Sequence, residues 1–258
     1  MYDYIIIGAG SAGCVLANRL SEDPDGRVLL LEAGPRDWHP FLHMPAGLAK
    51  LVGKKGVNWD YSTAPEPQLH DRALWWPRGK VLGGSSSINA MCYIRGVPQD
   101  YDGWAAQGAS GWHWDAVLPY FRRSERNARG ADALHGDDGP LYVSELRHVN
   151  PLSHAFVQAG VEAGYDANPD FNGPVQAGFG LYQVTQKHGA RCSASVAYLD
   201  PARARPNLRV HTGASVSRIT FERGRANGVT CAMLGKAFHY EATREVLCAA
   251  ARSIRRSC

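Results

Sequence analysis

The sequence has 258 residues, of which 45% are hydrophobic and 20% are charged, and its formal net charge is +4. This composition is typical of a globular chain that folds as one large domain or two closely associated ones, and it excludes an intrinsically disordered chain. The charges are dispersed except in the last few residues, and no apolar run reaches the roughly 18 residues that span a bilayer, so neither a nucleic-acid surface nor a membrane span is predicted.

The first elements predict a strand, a glycine-rich turn, a helix and a second strand. Residues 4–7 form a short apolar run typical of a strand that is buried on both faces of a parallel sheet. Residues 27–31 repeat that pattern and end at Glu32. Between them the spacing G-x-G-x-x-G is formed by Gly8, Gly10 and Gly13. This order of elements predicts a binding site for an adenine dinucleotide.

Each position of this turn has a physical reason. Gly8 permits the tight turn, Gly10 lets the backbone approach a pyrophosphate, and Gly13 lets the helix pack close to the strand. The helix predicted from Ser11 directs free N–H groups and the positive end of its dipole toward the phosphates. Glu32 follows Gly13 by 19 residues, where its carboxylate can accept hydrogen bonds from ribose hydroxyls.

The next segment is rich in turns and aromatic residues. A short helical patch is predicted at residues 46–52, and residues 57–68 alternate like a strand that leads into an extended proline segment. The aromatic side chains here are Trp59, Tyr61, Trp75 and Trp76. Two interpretations remain open: the rings cover the dinucleotide domain, or some of them line a pocket.

Residues 78–102 form the second informative stretch. Gly83 and Gly84 followed by three serines disfavour a helix or strand interior, because glycine is entropically costly and serine competes for backbone hydrogen bonds. We predict a loop that leads into a helix capped by residues 85–87, with an apolar stripe of Ile88, Met91 and Cys92. Such a loop is either a second anion-binding cradle or a tight loop without a ligand.

The remaining elements alternate between helices and strands. Helices are predicted at residues 114–121, 151–163 and 191–199. Strands are predicted at residues 141–144, 179–186, 208–211 and 216–222, followed by a hairpin of 225–234 with 237–243 and a buried strand from 245. His135, Asp137 and Asp138 are interpreted as turn residues, because no further metal ligand stands at a plausible spacing.

The cysteines indicate a reducing compartment. They are scattered at Cys14, Cys92, Cys192, Cys231, Cys248 and Cys258, without C-x-x-C or metal-ligand spacing. Reduced thiols fit a cytoplasmic chain. No signal peptide is expected, because Met1 stands three residues before the first predicted strand.

With both glycine-rich stretches, the chain resembles the glucose–methanol–choline (GMC) oxidoreductases from Met1 to about Ala249. The motifs are NWDY at residues 58–61, GKVLGGSSSINAMCYIRGVPQDYD at 79–102, HGDDGP at 135–140 and RPNLRVHTGASVSRI at 205–219. The resemblance implies an α/β fold (α+β overall), with a Rossmann-like FAD-binding domain and an attached substrate-domain sheet. It places residues 1–140 and 200–249 mainly in the FAD-binding domain and residues 141–199 in the substrate domain.

The resemblance also implies FAD as the cofactor and assigns its contacts. Residues 8–13 would hold the pyrophosphate, Glu32 the adenosine ribose, and the backbone of Val216 the adenine. The residues that would contact the pyrophosphate are Gly8, Gly10, Ser11, Ala12 and Gly13. The residues that would lie against the flavin and its phosphates are Val81, Gly84, Ser85, Ser86, Asn89, Ala90, Met91 and Cys92.

The implied reaction is oxidation of a primary, aliphatic alcohol to an aldehyde by hydride transfer to flavin, with a quinone-type electron acceptor. The chain is most similar to bacterial membrane-associated dehydrogenases of that substrate class, so peripheral association with the inner membrane is left open. Choline is the alternative substrate.

The chain departs from the family in length and at its end. Family members are about twice as long, and their catalytic histidine, in an H-x-x-G-T-like context, has no counterpart here, so no catalytic residue is assigned. Residues 250–258 replace the expected second signature, which suggests an out-of-frame tail and a missing C-terminal half. A non-catalytic FAD-binding remnant is therefore a second hypothesis. An NAD-dependent dehydrogenase is a third, although it leaves residues 78–102 unexplained.

Overall fold

The computed structural model describes residues 1–51, 53 and 55–250. Its strands are β1 (Tyr2–Ile7), β2 (Val28–Glu32), β3 (Tyr61–Ser62), β4 (Trp75–Trp76), β5 (Glu125–Asn127), β6 (Leu141–Val143), β7 (Gln186–Lys187), β8 (Ala190–Arg191), β9 (Leu208–Thr212), β10 (Ser215–Glu222), β11 (Arg225–Met233) and β12 (Lys236–Cys248). Its α-helices are α1 (Ser11–Leu20), α2 (Pro40–His43), α3 (Leu48–Leu51), α4 (Pro98–Ala106), α5 (Trp114–Ser124), α6 (Pro151–Glu162) and α7 (Asp200–Ala202). These elements confirm the predicted mixed α/β class.

The chain divides into two compact units. The first consists of Met1–Ala90 and Arg191–Cys258, and the second of Met91–Ala190. The sequence predicts a division of the chain by function, into cofactor-binding and substrate regions with boundaries at residues 140 and 199. The two compact units do not test that functional division. It stays a prediction.

The first unit is built on a six-stranded sheet with the strand order β10-β11-β12-β1-β2-β9. The four strands β12, β1, β2 and β9 run parallel, with Ile7 opposite both Leu31 and Cys248. All five residues of β2 are buried, which explains its continuous apolar sequence, because a central parallel strand is covered on both faces. The strand–turn–helix–strand unit predicted from residues 4–32 is thereby confirmed.

The far edge of this sheet is antiparallel. β10 pairs with β11, and β11 pairs with the first half of β12. The second half of β12 runs parallel to β1. The sequence predicted a hairpin strand and a separate strand from residue 245, but the structure has one strand, Lys236–Cys248. The prediction of two separate strands was wrong because no turn residue interrupts residues 237–248. The single strand β12 changes its pairing partner from β11 to β1 partway along.

The helix predicted after the second glycine loop is also wrong. The structure has a 3₁₀ turn at Gly84–Ser87, and Met91 has a left-handed φ of +63°. Ser86 donates its hydroxyl to the carbonyl of Gly83, and Ser87 donates to Leu82. Serine hydroxyls bonded back to the backbone compete with helix propagation, so Ile88, Met91 and Cys92 do not form a helical stripe.

Other predictions are confirmed to different degrees. α5, α6, β6, β9 and β10 lie where they were predicted. Residues 191–199 contain a π-helical turn at Ser195–Leu199 instead of a full α-helix. Residues 179–186 form isolated bridges rather than a regular strand, with Val184 bridging to Cys92 and Ser144. The predicted tail lies outside the described residues except for Ala250.

The second unit has little regular sheet. β5 and β6 form a parallel pair, while α4 and α5 pack together around Tyr101, whose ring contacts Trp104, Trp114 and Phe121. Asn150 caps α6 by accepting a hydrogen bond from the Leu152 amide at 2.9 Å. Long loops are therefore held by side chains rather than by a sheet.

Two findings concern the described residues as a whole. No helix within them is long and apolar enough to cross a bilayer. The described cysteines, Cys14, Cys92, Cys192, Cys231 and Cys248, form no disulfide bonds with one another.

Candidate functional site

A cleft lies at the carboxyl ends of the parallel strands of the first unit. The segments that follow β1, β2, β9 and β12 form its walls, together with residues 78–79 and 84–85. Because these strands are parallel, their carboxyl ends meet at one edge of the sheet, the place where open α/β sheets bind ligands. The strand topology therefore determines the location of the cleft independently of its side chains.

The first glycine turn fits closely against its own helix. Gly8 has a left-handed φ of +92°, and its amide donates to the carbonyl of Leu31 at 2.8 Å. A Cβ on Gly13 would lie 1.9 Å from the carbonyl oxygen of Gly8, whereas a Cβ on Gly10 would meet no atom of the described residues within 4 Å. Gly13 is thus required for packing, while Gly10 leaves open space on the cleft side.

Glu32 joins the turn to the end of β2. Its carboxylate accepts hydrogen bonds from the amides of Ala9 and Gly34, both at 2.8 Å, and the residue is 6% exposed. Burial raises the pKa of Glu32, and the two amides and the charge of Lys80 oppose that rise. Each carboxylate oxygen has a second lone pair, so acceptor capacity remains toward the cleft.

The second glycine loop packs directly on the first. The amide of Gly83 donates to the carbonyl of Ala9 at 2.8 Å. A Cβ on Gly84, whose φ is +54°, would lie 2.8 Å from the Cα of Gly10. Two backbone loops that are distant in sequence therefore meet along one wall of the cleft.

The cleft brings together part of the predicted set. The predicted residues on its wall are Gly8, Gly10, Ser11, Glu32, Gly84, Ser85 and Val216. The other predicted residues in the same unit are Ala12, Gly13, Val81, Ser86, Asn89 and Ala90. Met91 and Cys92 are the first two residues of the second unit. Their roles toward a cofactor stay predictions.

Sequence reasoning assigned no role to two basic residues beside the cleft, Arg78 and Lys80. Arg78 and Trp59 line it, and the ammonium of Lys80 lies 4.5 Å from the ring centroid of Trp59. Of the four aromatic residues with two open interpretations, Trp59 thus lines the cleft, whereas Trp75 and Trp76 are exposed. The basic residues on both sides of Gly79 were the available signal, since cations beside a glycine loop favour phosphate.

The second unit contains a separate buried group, the ionic cluster, which consists of Arg95, Glu125, His135 and Asp170. Glu125 is fully buried and forms an ion pair with Arg95. The ring of His135 lies between two carboxylates, with Nδ1 3.0 Å from Glu125 and Nε2 3.0 Å from Asp170. His135 was interpreted as a turn residue, and its burial in this cluster was not foreseen.

The cluster favours a charged histidine. Hydrogen bonding to Glu125 raises the pKa of His135 above its ordinary value, the charges of Glu125 and Asp170 act in the same direction, and burial opposes them. With both ring nitrogens protonated, each donates to one carboxylate. Among the described residues no group of side chains suited to a metal ion is present, so the cluster is explained by its own ion pairs.

The first-unit cleft fits a dinucleotide. Gly10 offers backbone without a side chain, Glu32 keeps acceptor capacity, and Arg78 supplies a positive charge. Backbone amides and a cation at the carboxyl edge of a parallel sheet are the groups that bind diphosphates.

Comparisons with known proteins agree with this geometry. The family model described as GMC oxidoreductase matches residues 2–254. The chain is 55% identical to alcohol dehydrogenase (acceptor) of Pseudomonas putida, over 89% of this chain and 42% of that protein. It is 48% identical to mitochondrial choline dehydrogenase of Mus musculus, over 95% of this chain and 42% of that protein.

A solved structure shows the same arrangement of elements. Pyridoxine 4-oxidase from Mesorbium loti superposes with a TM-score of 0.93 and 37% identity, covering 100% of this chain and 52% of that one. The chain thus spans less than half the length of the two curated relatives and about half of the solved structure.

Proposed function

Since this chain belongs to the GMC oxidoreductase family, whose members are FAD-dependent, we propose that it is the FAD-binding part of an alcohol-oxidising enzyme. The proposed reaction converts the CH–OH group of a primary aliphatic alcohol to an aldehyde, with electrons passed to a quinone-type acceptor. Bound FAD supplies the hydride acceptor for this chemistry. The observation that carries the proposal is the contact between the two glycine loops at the carboxyl edge of the sheet.

Different residues of the cleft bind different parts of FAD in this proposal. The amides of residues 10–13 face the diphosphate, with Arg78 contributing charge. Glu32 accepts from the adenosine ribose, and its bonds to Ala9 and Gly34 hold its carboxylate in one orientation. Val216 offers its backbone to the adenine, while residues 81–90 form the flavin side of the site. A charge-assisted hydrogen bond such as that from a ribose hydroxyl to Glu32 contributes about 1.5–3 kcal/mol.

The sequence identities favour the substrate class of the alcohol dehydrogenase over choline. Identity to the alcohol dehydrogenase is 55%, against 48% to the choline dehydrogenase, and choline remains the second candidate. Because no histidine of this chain stands in the family's catalytic motif, we propose that the 258-residue chain binds FAD without oxidising alcohol by itself.

The first experiment is an absorption spectrum of the purified chain, followed by titration with FAD, FMN and NAD. We expect the two visible bands of oxidised flavin and tight binding of FAD alone. Binding of NAD in preference to FAD, or a folded chain that takes up no FAD, would overturn the proposal.

Substrate choice is tested on an enzyme that contains the family's catalytic motif. A fusion that continues from Ala249 with the C-terminal part of the Pseudomonas putida relative should reduce an artificial electron acceptor with a medium-chain primary alcohol. Faster reduction with choline than with the alcohol would make choline dehydrogenase the better assignment.

A further inference from the structure

Arg191 is a buried cation without a carboxylate partner. Its residue is 2% exposed, and among the described residues no Asp or Glu forms an ion pair with it. Burial lowers the pKa of its guanidinium to about 10, so the group is still charged at neutral pH. Burying an unpaired charge is costly, and such a position therefore requires an explanation.

The guanidinium is held by three carbonyl oxygens from two segments, one at Leu42 and one in the second glycine loop. Its Nε donates to the carbonyl of Leu42 at 2.9 Å, and its Nη1 donates to the carbonyl of Ser86 at 3.2 Å and to the side-chain oxygen of Asn89 at 2.7 Å. In the described part of the chain, its buried Nη2 has no hydrogen-bond partner. The rigid fork of arginine suits such simultaneous contacts. None of these acceptors carries a compensating negative charge.

Two of these acceptors belong to the second glycine loop, here called the cofactor loop (residues 83–89). The same loop is also held by the amide of Ala194, which donates to the hydroxyl of Ser86 at 2.9 Å, and by the bond from Gly83 to Ala9. The segment that begins at Arg191 thus forms the back of the loop whose front faces the cleft.

We propose that Arg191 is a positioning residue for the dinucleotide: it fixes the cofactor loop and supplies the uncompensated positive charge that the diphosphate neutralises on binding. This inference rests on the proposed FAD-binding function. It explains why the chain retains a buried guanidinium bonded only to neutral oxygens, since a carboxylate in the same place would cancel the field that attracts the anion.

The test uses the full 258-residue chain and two ligands. FAD carries the flavin, whereas ADP carries the diphosphate without it. Arg191→Met removes the charge and is expected to weaken binding of both ligands about 100-fold, which corresponds to about 2.8 kcal/mol. Arg209→Met, at an exposed arginine of the same unit, is the matched control and should bind both within twofold of wild type.

A second variant separates charge from folding. Asn89→Asp places a carboxylate beside the guanidinium, so the thermal midpoint should not fall, while ADP affinity should drop about 10-fold, or about 1.4 kcal/mol. Because ADP has no flavin, a contact between Asn89 and the flavin does not affect this measurement. Adenosine, which lacks the diphosphate, should bind wild type and Asn89→Asp equally.

The outcomes are distinguishable. If wild type binds no FAD, the proposed function and this inference both fall. If wild type binds FAD and folded Asn89→Asp binds ADP as wild type does, only the inference is overturned and Arg191 is purely structural. The same conclusion follows from a folded Arg191→Met with unchanged ADP affinity, and Asn89→Asp decides the question if Arg191→Met does not fold.

Discussion

The cleft of the first unit and the ionic cluster of the second unit are built in opposite ways. The cleft uses backbone groups from short glycine-containing segments, and its first half lies within 25 consecutive residues, from Gly8 to Glu32. The cluster uses four charged side chains spread over 76 positions, from Arg95 to Asp170. Backbone chemistry therefore leaves a local sequence signature, whereas a network of side chains leaves none.

The two regions also respond differently to substitution. A glycine of the cleft is required for its lack of a side chain, so the damage comes from added atoms. A residue of the cluster is required for its charge, so the damage comes from removal of a partner. Measurements of stability at both places test this difference.

The largest effect is expected at the centre of the cluster. Glu125→Ala leaves Arg95 and His135 buried without their shared carboxylate, and breaking a buried ion pair costs about 3–5 kcal/mol. The free energy of unfolding from urea titration measures it. Glu162→Ala, at an exposed position on α6 of the same unit, is the control and should stay within about 0.5 kcal/mol of wild type.

A small loss at Glu125 would contradict this interpretation. Exposed ion pairs contribute about 0–1 kcal/mol. A value in that range for Glu125→Ala would mean that water reaches the cluster in solution, and the contrast with the cleft would then disappear.

The next effect depends on pH. His135 has a raised pKa in the folded chain, so its contribution to stability is fully present below its unfolded pKa of about 6.5 and is lost as the pH rises through the folded value. His135→Gln should therefore lower the free energy of unfolding by about 1.5–3 kcal/mol at pH 6, the size of a charge-assisted hydrogen bond. The deficit should shrink toward pH 9.

Urea titrations of wild type and His135→Gln across that range provide the measurement. Asp132, which accepts from the His135 amide at 2.7 Å and has a lowered pKa, is ionised throughout, so it does not change the comparison. A deficit that is constant from pH 6 to pH 9 would show that the histidine is neutral in the cluster.

The smallest effect on stability is expected in the cleft. Gly13→Ala places a methyl group 1.9 Å from the Gly8 carbonyl, and such overpacking costs about 1–3 kcal/mol. Gly10→Ala is the matched control because, in the part of the chain that the structure describes, its methyl group meets no atom within 4 Å. It should leave stability unchanged within about 0.5 kcal/mol while reducing FAD affinity.

Thermal or urea unfolding of Gly13→Ala and Gly10→Ala measures the stability of each variant, and titration with FAD measures its affinity. Equal losses of stability at Gly13 and Gly10 would mean that an added side chain has the same effect at both positions of the turn. The separation of a packing glycine from a ligand-facing glycine would then be wrong.

The difference between local sequence signals and long-range side-chain contacts also explains which features could be predicted from the sequence. The β1–α1–β2 unit, Glu32 and the hairpin of β11 with β12 were predicted because periodicity, glycine spacing and turn residues are local signals. The helix after Ser87 was wrong because serine hydroxyls bonded to Gly83 and Leu82 instead of capping a longer helix. Arg78 was missed, and the two interpretations of Trp59 stayed open, because only the fold carries these residues to the cleft.

The sequence by itself determined the family, the FAD cofactor, the α/β class and the glycine turn between the first strand and the first helix. Each of these depends on residues that are close in the chain or on long motifs. Only the tertiary structure decided which residues line the cleft, that Glu125 and His135 share a buried cluster, and that Arg191 stands behind the cofactor loop. Those facts depend on contacts across about 10 to 150 positions, and pairings at such distances are set by the packing of the whole unit rather than by local propensity.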